Sequence, residues 1–367
     1  MDLYVLDENF ETVKVIDVYE SFIWSDRYNE AGDFELYTTA LQEYWDVCQR
    51  GYYLYFQESE HLMIIEDREI TSSFENGVHL IVTGRSLESI LERRVVWGQV
   101  VFEGMSVKDI IIKLLNDNII SPSDSDRKIP NFILGDFQNE TEVRSMTATL
   151  DAQYTGDDLY SIIKNLCQVY GLGFKITLNE SNQFVFDLYE GKDRTYGQFE
   201  NPYIVFSPSQ ENITSSNYKD SDRTLKTVAL VLGEGEGYNR KFTSIQSSQE
   251  NSLTGLSRRE LYVDARDISS TTEEGDIIES DEYYKMLQTR GSEKLAENVV
   301  TQVMDGEVDP YVTYEYKKDY DMGDIVQIVN ELGMEMKARV SEYIYSHDES
   351  GLMYYPTFVN FTDSDTV

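Results

Sequence analysis

The stretch GDIVQIVNELGMEMKARVSEYIYSHDESGLMYYPT, Gly323–Thr357, has a counterpart much earlier in the chain, GYYLYFQESEHLMIIEDREITSSFENGVHLIVT, Gly51–Thr83. Each opens on a glycine followed by an apolar run, DIVQIV or YYLYF, that a polar turn, NELG or ESE, ends. A strand of period two comes next. In the later copy Met334, Met336, Ala338, Val340 and Ile344 are expected on one face, and Leu62, Ile64 and Ile70 take matching places in the earlier one when Gly77 and Gly351 are aligned. Those glycines sit in the turns ENG and ESG, and Thr83 and Thr357 each follow six residues later. Two explanations stay open: a duplicated sheet unit, or two independent meanders, since any half-buried antiparallel meander alternates and turns at glycine.

Around this pattern the first hundred residues read as strands. LYVLD and TVKVIDVY flank ENFE, and DFELYTT, YYLYF, HLMII and VHLIVT follow at short spacing, the rhythm of a small sandwich or barrel. SLESILE (86–92) is expected as a short helix and VVWGQVVF as a last strand of this unit. From residue 104 the period changes. Val107, Ile110, Ile111, Leu114 and Leu115 form a helical stripe capped by Ser106 with Asp109. Leu159, Ile162, Ile163, Leu166 and Tyr170 form a second, with Thr155 and Asp158 as its cap and Gly171 as its stop, and FKITL with FVFDLY makes a hairpin. A third helix is expected over 281–303 with the stripe Tyr284, Leu287, Gly291, Leu295 and Val299.

The resulting fold class is α+β, mainly β. Divided where the pattern changes, the chain offers two similar β units of the sandwich or barrel kind, 1–103 and 307–362, an α+β domain at 104–200, and a β segment at 201–262 that links or completes them. An acidic loop and helix insertion at 263–306 and a loose tail at 363–367 complete the division. If the duplication is genuine, three chains present six quasi-equivalent units, so a threefold ring can sit flush on a sixfold tube.

Composition narrows the function classes. The apolar fraction is 41%, with 27 Tyr and 16 Phe, which marks a folded chain. The 67 acidic against 31 basic residues give a net charge of −36, which opposes stable binding to nucleic acid or an anionic membrane. No run approaches the ~20 apolar residues that span a bilayer, and MDLYVLDENF does not read as a signal peptide. Synthesis in a cytoplasm is expected. The four N-x-S/T triplets, at Asn139, Asn179, Asn212 and Asn360, are then chance matches, and Cys48 and Cys167 are expected as core residues.

Several stretches resemble siphophage tail-tip hub proteins, the group that includes the hub region of tail-associated lysins. SFIWSDRYNEAGDFELYTT (Ser21–Thr39) carries Trp24, Arg27, Gly32, Phe34 and Glu35. RRELYVDARDIS (258–269), YDMGDIVQI (320–328) with Gly323 and Asp324, and YYPTF (354–358) with Pro356 follow in the same order. With the repeat glycines Gly51, Gly77 and Gly351 these are the structural motif residues. The resemblance, which covers nearly the whole chain, implies a homotrimer built of two similar tube-type β-barrel domains, 1–103 and 307–362, and two inserted domains, similar to the baseplate hubs of contractile phages, located at the virion tail tip, with a channel that continues the tail tube. Its implied partners are the distal tail protein ring, the tape-measure protein and receptor-binding or other tail-tip proteins, while DNA transits without stable binding. Wall-degrading activity is expected on another polypeptide.

No residue is singled out as catalytic, cofactor-binding or metal-ligating. The only histidines, His61, His79 and His347, form no zinc spacing and are expected as surface or strand residues. GEGEG (233–237) follows a strand but leads to no helix, and Glu234 and Glu236 would repel phosphate, so it reads as a hairpin turn. The carboxylates Asp319, Asp321 and Asp324, and Asp124 with Asp126, miss the calcium-loop pattern. A cell-wall glycosidase stays open as an alternative because it needs only two carboxyl groups at a suitable separation, as does a carbohydrate-binding tail protein through the tyrosines.

Overall fold

The computed structural model describes residues 1–75, 77–137, 144–213, 215–247, 253–272, 275–308 and 314–361. The expected tail and Asn139 lie outside them. The chain opens with β1 (Leu3–Leu6), β2 (Thr12–Ile16), β3 (Ser21–Arg27), β4 (Asp33–Thr39), helix α1 (Gln42–Val47), β5 (Tyr53–Tyr55), β6 (Met63–Ser73) and β7 (Gly77–Ser86). After a 3-10 segment, Leu87–Arg93, come β8 (Gln99–Ser106), α2 (Val107–Leu115), β9 (Phe132–Leu134), α3 (Arg144–Thr147), β10 (Thr149–Thr155), α4 (Leu159–Val169), β11 (Gly173–Leu178) and β12 (Phe184–Tyr189). Then follow β13 (Val205–Phe206), β14 (Ser215–Ser221), β15 (Val228–Leu232), β16 (Phe242–Gln246), β17 (Glu260–Asp264) and α5 (Ser280–Ala296). Last are β18 (Thr301–Glu307), β19 (Ile325–Val329), β20 (Glu335–Asp348) and β21 (Gly351–Asn360). The fold is α+β, mainly β, with open sheets.

Both meanders lie in one 13-stranded sheet, ordered β14-β18-β21-β20-β3-β4-β7-β6-β5-β1-β2, with β19 beside β20 and β13 beside β19. They are equivalent strand for strand: β3-β4-β7-β6-β5-β1 in the first corresponds to β14-β18-β21-β20-β19-β13 in the second. The hydrogen bonds match as well. The N–H of Gly51 donates to the Ile65 carbonyl and that of Ile65 to Tyr52; likewise Gly323 donates to Val340 and Val340 to Asp324, all at 2.8–2.9 Å. Gly51 and Gly323 have φ of 88° and 87°, a region open to glycine, which is why each copy begins with one.

A β-bulge follows in each copy, between Ile65 and Asp67 and between Val340 and Glu342. From the bulge, seven residue pairs run to the turn in both hairpins, Asp67↔Thr83 to Ser73↔Gly77 and Glu342↔Thr357 to Asp348↔Gly351. The two threonines thus occupy the same register position. One difference separates the copies: β1 runs antiparallel to β5, whereas β13 runs parallel to β19.

The bulge corrects the expected faces. An extra residue reverses the alternation, so Ala338 and Val340 are buried before it and Tyr343 and Tyr345 after it, while Ile344 is only partly covered. In β6, Met63 and Ile65 join the core shared by the two repeats, whereas Ile64, like Leu62 just before the strand, joins the apolar cluster built on α2 and α4. Ile70 is exposed.

Three apolar clusters organise the chain. The first spans both repeats, from Phe22, Trp24 and Phe34 to Phe206, Tyr345 and Phe358. The second packs α2 and α4 against β11 and β12; the predicted stripes are buried except at Tyr170, which follows the end of α4 and is partly covered. The third places α5 on the β15–β17 sheet, where a Cβ at Gly291 would come within 2.8 Å of Ile245 and Val231.

Four local expectations change. VVWGQVVF does not complete the first meander, because β8 pairs with β10 of the middle domain. The α4 cap is Asp158 alone, which accepts from Ser161 N–H, while Thr155 ends β10. The third helix stops at Ala296, since the Val299–Val303 stretch is rich in β-branched residues and leads into β18, paired to β14 and β21. Its buried stripe includes Tyr283, Met286 and Arg290, with Tyr284 only partly covered. Ser106 caps α2 as expected, and GEGEG joins the β15–β16 hairpin.

Candidate functional site at the junction of the two repeats

The signature SFIWSDRYNEAGDF forms β3, the start of β4 and the turn between them, and it is where the repeats and the middle domain meet. Alternation along β3 sends Phe22, Trp24 and Asp26 into the core. The Trp24 ring meets Phe56 edge-on at 4.9 Å, and Phe56 meets Tyr345 of the second repeat at 5.0 Å. Phe34 is buried beside Trp24. Gly32 is required by a close approach, since a Cβ there would lie 2.1 Å from the Ser25 carbonyl oxygen. Arg27 crosses between the repeats, with Nε donating to Glu342 at 2.7 Å, Nη2 to Asp33 at 3.0 Å and Nη1 to the Ala31 carbonyl at 2.9 Å.

Tyr28, the next residue, is wedged among three parts of the chain. Its hydroxyl donates to the Gly171 carbonyl at 2.9 Å and accepts from Arg339 Nη1 at 3.0 Å. Its ring lies so close to Gly173 and Gly323 that a Cβ on either would come within 2.4 Å. Gly191 packs on Gly323 in turn. Gly323 therefore does two things, adopting the left-handed conformation its repeat-mate Gly51 shares and leaving room for an aromatic ring that Gly51 does not face.

Asp324 anchors the segment after β12. Its buried carboxylate accepts from the Lys192 N–H at 2.7 Å, from Arg194 Nε, and from the Asp321 N–H at 3.0 Å. Around it opens a cleft of about 450 Å³ in which Lys175, Arg194, Lys317 and Lys318 each meet a carboxylate. Glu60 bridges Lys175 at 2.8 Å and Lys317 at 2.7 Å, and Lys317 also reaches Asp321 at 2.9 Å. Burial favours the neutral acid, but the two lysines outweigh it and hold Glu60 at about 2.

A second buried cluster lies beside it. Asp26 accepts from Trp24 Nε1 at 2.8 Å and from the Ser59 hydroxyl at 2.9 Å, and burial raises its pKa. His61 Nδ1 sits 3.4 Å from Glu88 Oε1, and that oxygen also accepts from the Ile176 N–H at 2.7 Å. Burial pulls His61 down, yet Asp26 and Glu88 prevail and push it up to about 9. Burial likewise opposes ionisation of Glu88, but the facing His61 holds its pKa below the usual value. His61 is thus no surface or strand histidine. His79 and His347 do lie in strands, β7 and β20.

Trp24, Arg27, Gly32, Phe34, Gly323 and Asp324 converge on this junction. Glu35 is exposed on β4, Gly77 and Gly351 serve hairpin turns with φ of 86° and 111°, and Pro356 is buried opposite Tyr343 in β21. Sequence reasoning missed Tyr28, Arg339, Asp26, His61 and Glu88. Tyr28 and Asp26 lay within the quoted signature; His61, Glu88 and Arg339 carried no signal, because their partners are distant in the chain. Chemically the junction is a lock of paired charges and close-packed glycines. Among the described residues no three or more His, Cys, Asp or Glu gather to hold a metal ion, and no helix is long and apolar enough to cross a membrane.

This fold is that of phage tail proteins of known structure. A tail protein from Neisseria meningitidis MC58 superimposes with a TM-score of 0.55 at 13% identity, covering 100% of this chain and 98% of that one. The prophage MuSo2 43 kDa tail protein from Shewanella oneidensis gives 0.57 at 10%, covering 98% of each chain. The prophage tail protein gp18 from Listeria monocytogenes EGD-e gives 0.53 at 14%, covering 99% of this chain and 95% of that one. At these identities the likeness concerns the fold. The chain belongs to the siphovirus ReqiPepy6 Gp37-like family, which it matches over residues 2–358. No curated protein matches it.

Proposed function

We propose that the chain is the structural hub of a siphophage tail tip: three copies form a ring that closes the distal end of the tail tube and gives exit to the tape-measure protein and then DNA. The observation that carries this reading is the duplication, matched strand by strand and in register around the two bulges. Each chain then supplies two like units, and three chains supply the six that a sixfold tube requires. In this reading each meander contributes a tube-type barrel unit to the ring, the middle α+β domain widens it, and the distal tail protein ring and receptor-binding proteins are its neighbours. Three copies carry three times −36 formal charges, and acids outnumbering bases on the channel wall would keep DNA sliding.

Mass measurement and axial views by electron microscopy test the ring. The expected particle has three times the 42.5 kDa of the chain and a central opening. A species that stays monomeric at every concentration, alone and with its distal tail protein, overturns the ring. A basic channel wall would remove the DNA-sliding part alone. The second reading, a wall glycosidase, draws on Glu60 and Asp187, which share the cleft while lysines lower the first and burial raises the second. Against it, both Glu60 oxygens are taken by lysines. Release of sugars from Gram-positive cell walls by the pure protein would establish it, and wall binding without release would indicate a carbohydrate-binding role.

A further inference from the structure

The internal symmetry singles out two strand edges. Within the chain, β3 of the first repeat pairs antiparallel with β20 of the second. The equivalent of β3 is β14, and that of β20 is β6. Among the described residues both keep one edge unpaired. β14 ends the sheet with β18 as its only partner strand, while β6 bonds β5 through Met63 and Ile64 alone, leaving the backbone of 67–72 laddered to β7 only. In β20 the corresponding residues, 342–347, are those that β3 covers.

We propose that β14 of one copy pairs antiparallel with β6 of a second copy, in the register of the β3–β20 seam. The register follows from the observed ladders. Thr83 and Thr357 face Glu35 and Asp305, and these face Ile23 and Asn217, so Trp24 corresponds to Tyr218, Ser25 to Lys219 and Asp26 to Asp220. Counting from the bulges, Tyr343 corresponds to Arg68, Ile344 to Glu69 and Tyr345 to Ile70. The observed pairs Asp26–Tyr343, Ser25–Ile344 and Trp24–Tyr345 then become Asp220–Arg68, Lys219–Glu69 and Tyr218–Ile70 between copies.

The transferred register therefore opposes acid to base twice and joins two apolar side chains. Nothing in the transfer used residue type. Burial agrees: Tyr345 is 2% exposed beneath β3, whereas Ile70 in the same place is 51% exposed. A strand laid along the open edge of β6 would cover Ile70. The contact is head-to-tail, so its repetition builds a ring or an open chain; closure at three copies rests on the hub reading, whereas the pairing itself does not.

Paired cysteines test it. In a variant carrying both Tyr218→Cys and Ile70→Cys, mild oxidation is expected to give covalent species of two and three subunits on a non-reducing gel, and either single variant is expected to give none. The native Cys48 and Cys167 are buried and do not compete. As a second measure, Lys219→Glu alone is expected to weaken self-association about tenfold or more, and adding Glu69→Lys to restore it. If wild type forms trimers yet the double-cysteine variant does not cross-link and the charge reversals change nothing, the pairing is wrong and the hub stands. If wild type is monomeric and no cross-link forms, both fail. Cross-linking by either single-cysteine variant indicates an isologous contact and overturns the pairing.

Discussion

Gly51 and Gly323 form a controlled experiment within one chain. Both have φ near 88°, so an alanine at either meets the same backbone penalty of about 1 kcal/mol. Their surroundings differ. A Cβ at Gly51 meets nothing within 4 Å, while one at Gly323 would lie 2.2 Å from Cε2 of Tyr28. The ring is held in place, because Gly173 also packs against its Cε2 and Cδ2 atoms and Gly171 and Arg339 hold its hydroxyl. Overpacking of this kind adds about 1–3 kcal/mol. Gly51→Ala should therefore destabilise by about 1 kcal/mol and Gly323→Ala by about 2–4 kcal/mol in urea denaturation. In a Tyr28→Ala background the Gly323 penalty should fall back to the Gly51 value. Equal penalties at the two glycines, or no relief on removing the ring, would refute the wedge.

Three further outcomes follow from the junction. His61 has a folded pKa of about 9, above its unfolded value of 6.5, so its contribution is full below pH 6.5 and is lost as pH rises through 9; its size is on the order of 3 kcal/mol. Wild type should lose stability between pH 7 and 10, and His61→Gln should start less stable at pH 6 and change less. Asp324→Asn leaves the largely buried Arg194 without its carboxylate and should destabilise by about 3 kcal/mol, with faster hydrogen exchange at the Lys192 amide. Glu60 has its pKa lowered to about 2, so its contribution is present above 4.5 and fades as pH falls toward 2. Because Glu60 and its lysines are roughly a third exposed, Glu60→Gln should shift neutral-pH stability by less than about 1 kcal/mol.

The repeat was legible because its cues are backbone cues. A positive φ calls for glycine, and a hairpin turn leaves Gly77 and Gly351 at fixed distances from Thr83 and Thr357. The bulges were not, since Glu66 and Ser341 carry no residue preference that marks them, and the faces beyond them were misassigned. The start of β18, 301–303, was read as helix because Val299 continues the α5 stripe; only pairing with β14 and β21, which is non-local, decides otherwise. The junction was half legible. Trp24, Arg27 and Gly32 stood out in one stretch, but His61, Glu88 and Arg339 acquire meaning from partners in other parts of the chain.

The seam inside the chain and the one proposed between copies differ in a way that separates assembly from mere solubility. The seam inside the chain is aromatic, Trp24 and Tyr345 packing about Phe56, and it closes as the chain folds. An edge that must wait in water for another copy cannot be built that way, because an exposed apolar strand invites aggregation. The free edges carry Lys219, Asp220, Arg68 and Glu69 instead, with Ile70 and Tyr218 as their larger apolar side chains. Protection alone is indifferent to sign, and any charge on either strand would serve. Pairing is not indifferent, since it requires opposite signs at positions set by the other seam. Lys219→Glu keeps the edge charged but faces it with Glu69, so the variant should remain soluble and fail to assemble; exchanging both signs should restore assembly at unchanged solubility. Normal assembly of the single reversal in sedimentation would leave edge protection as the whole meaning of these charges.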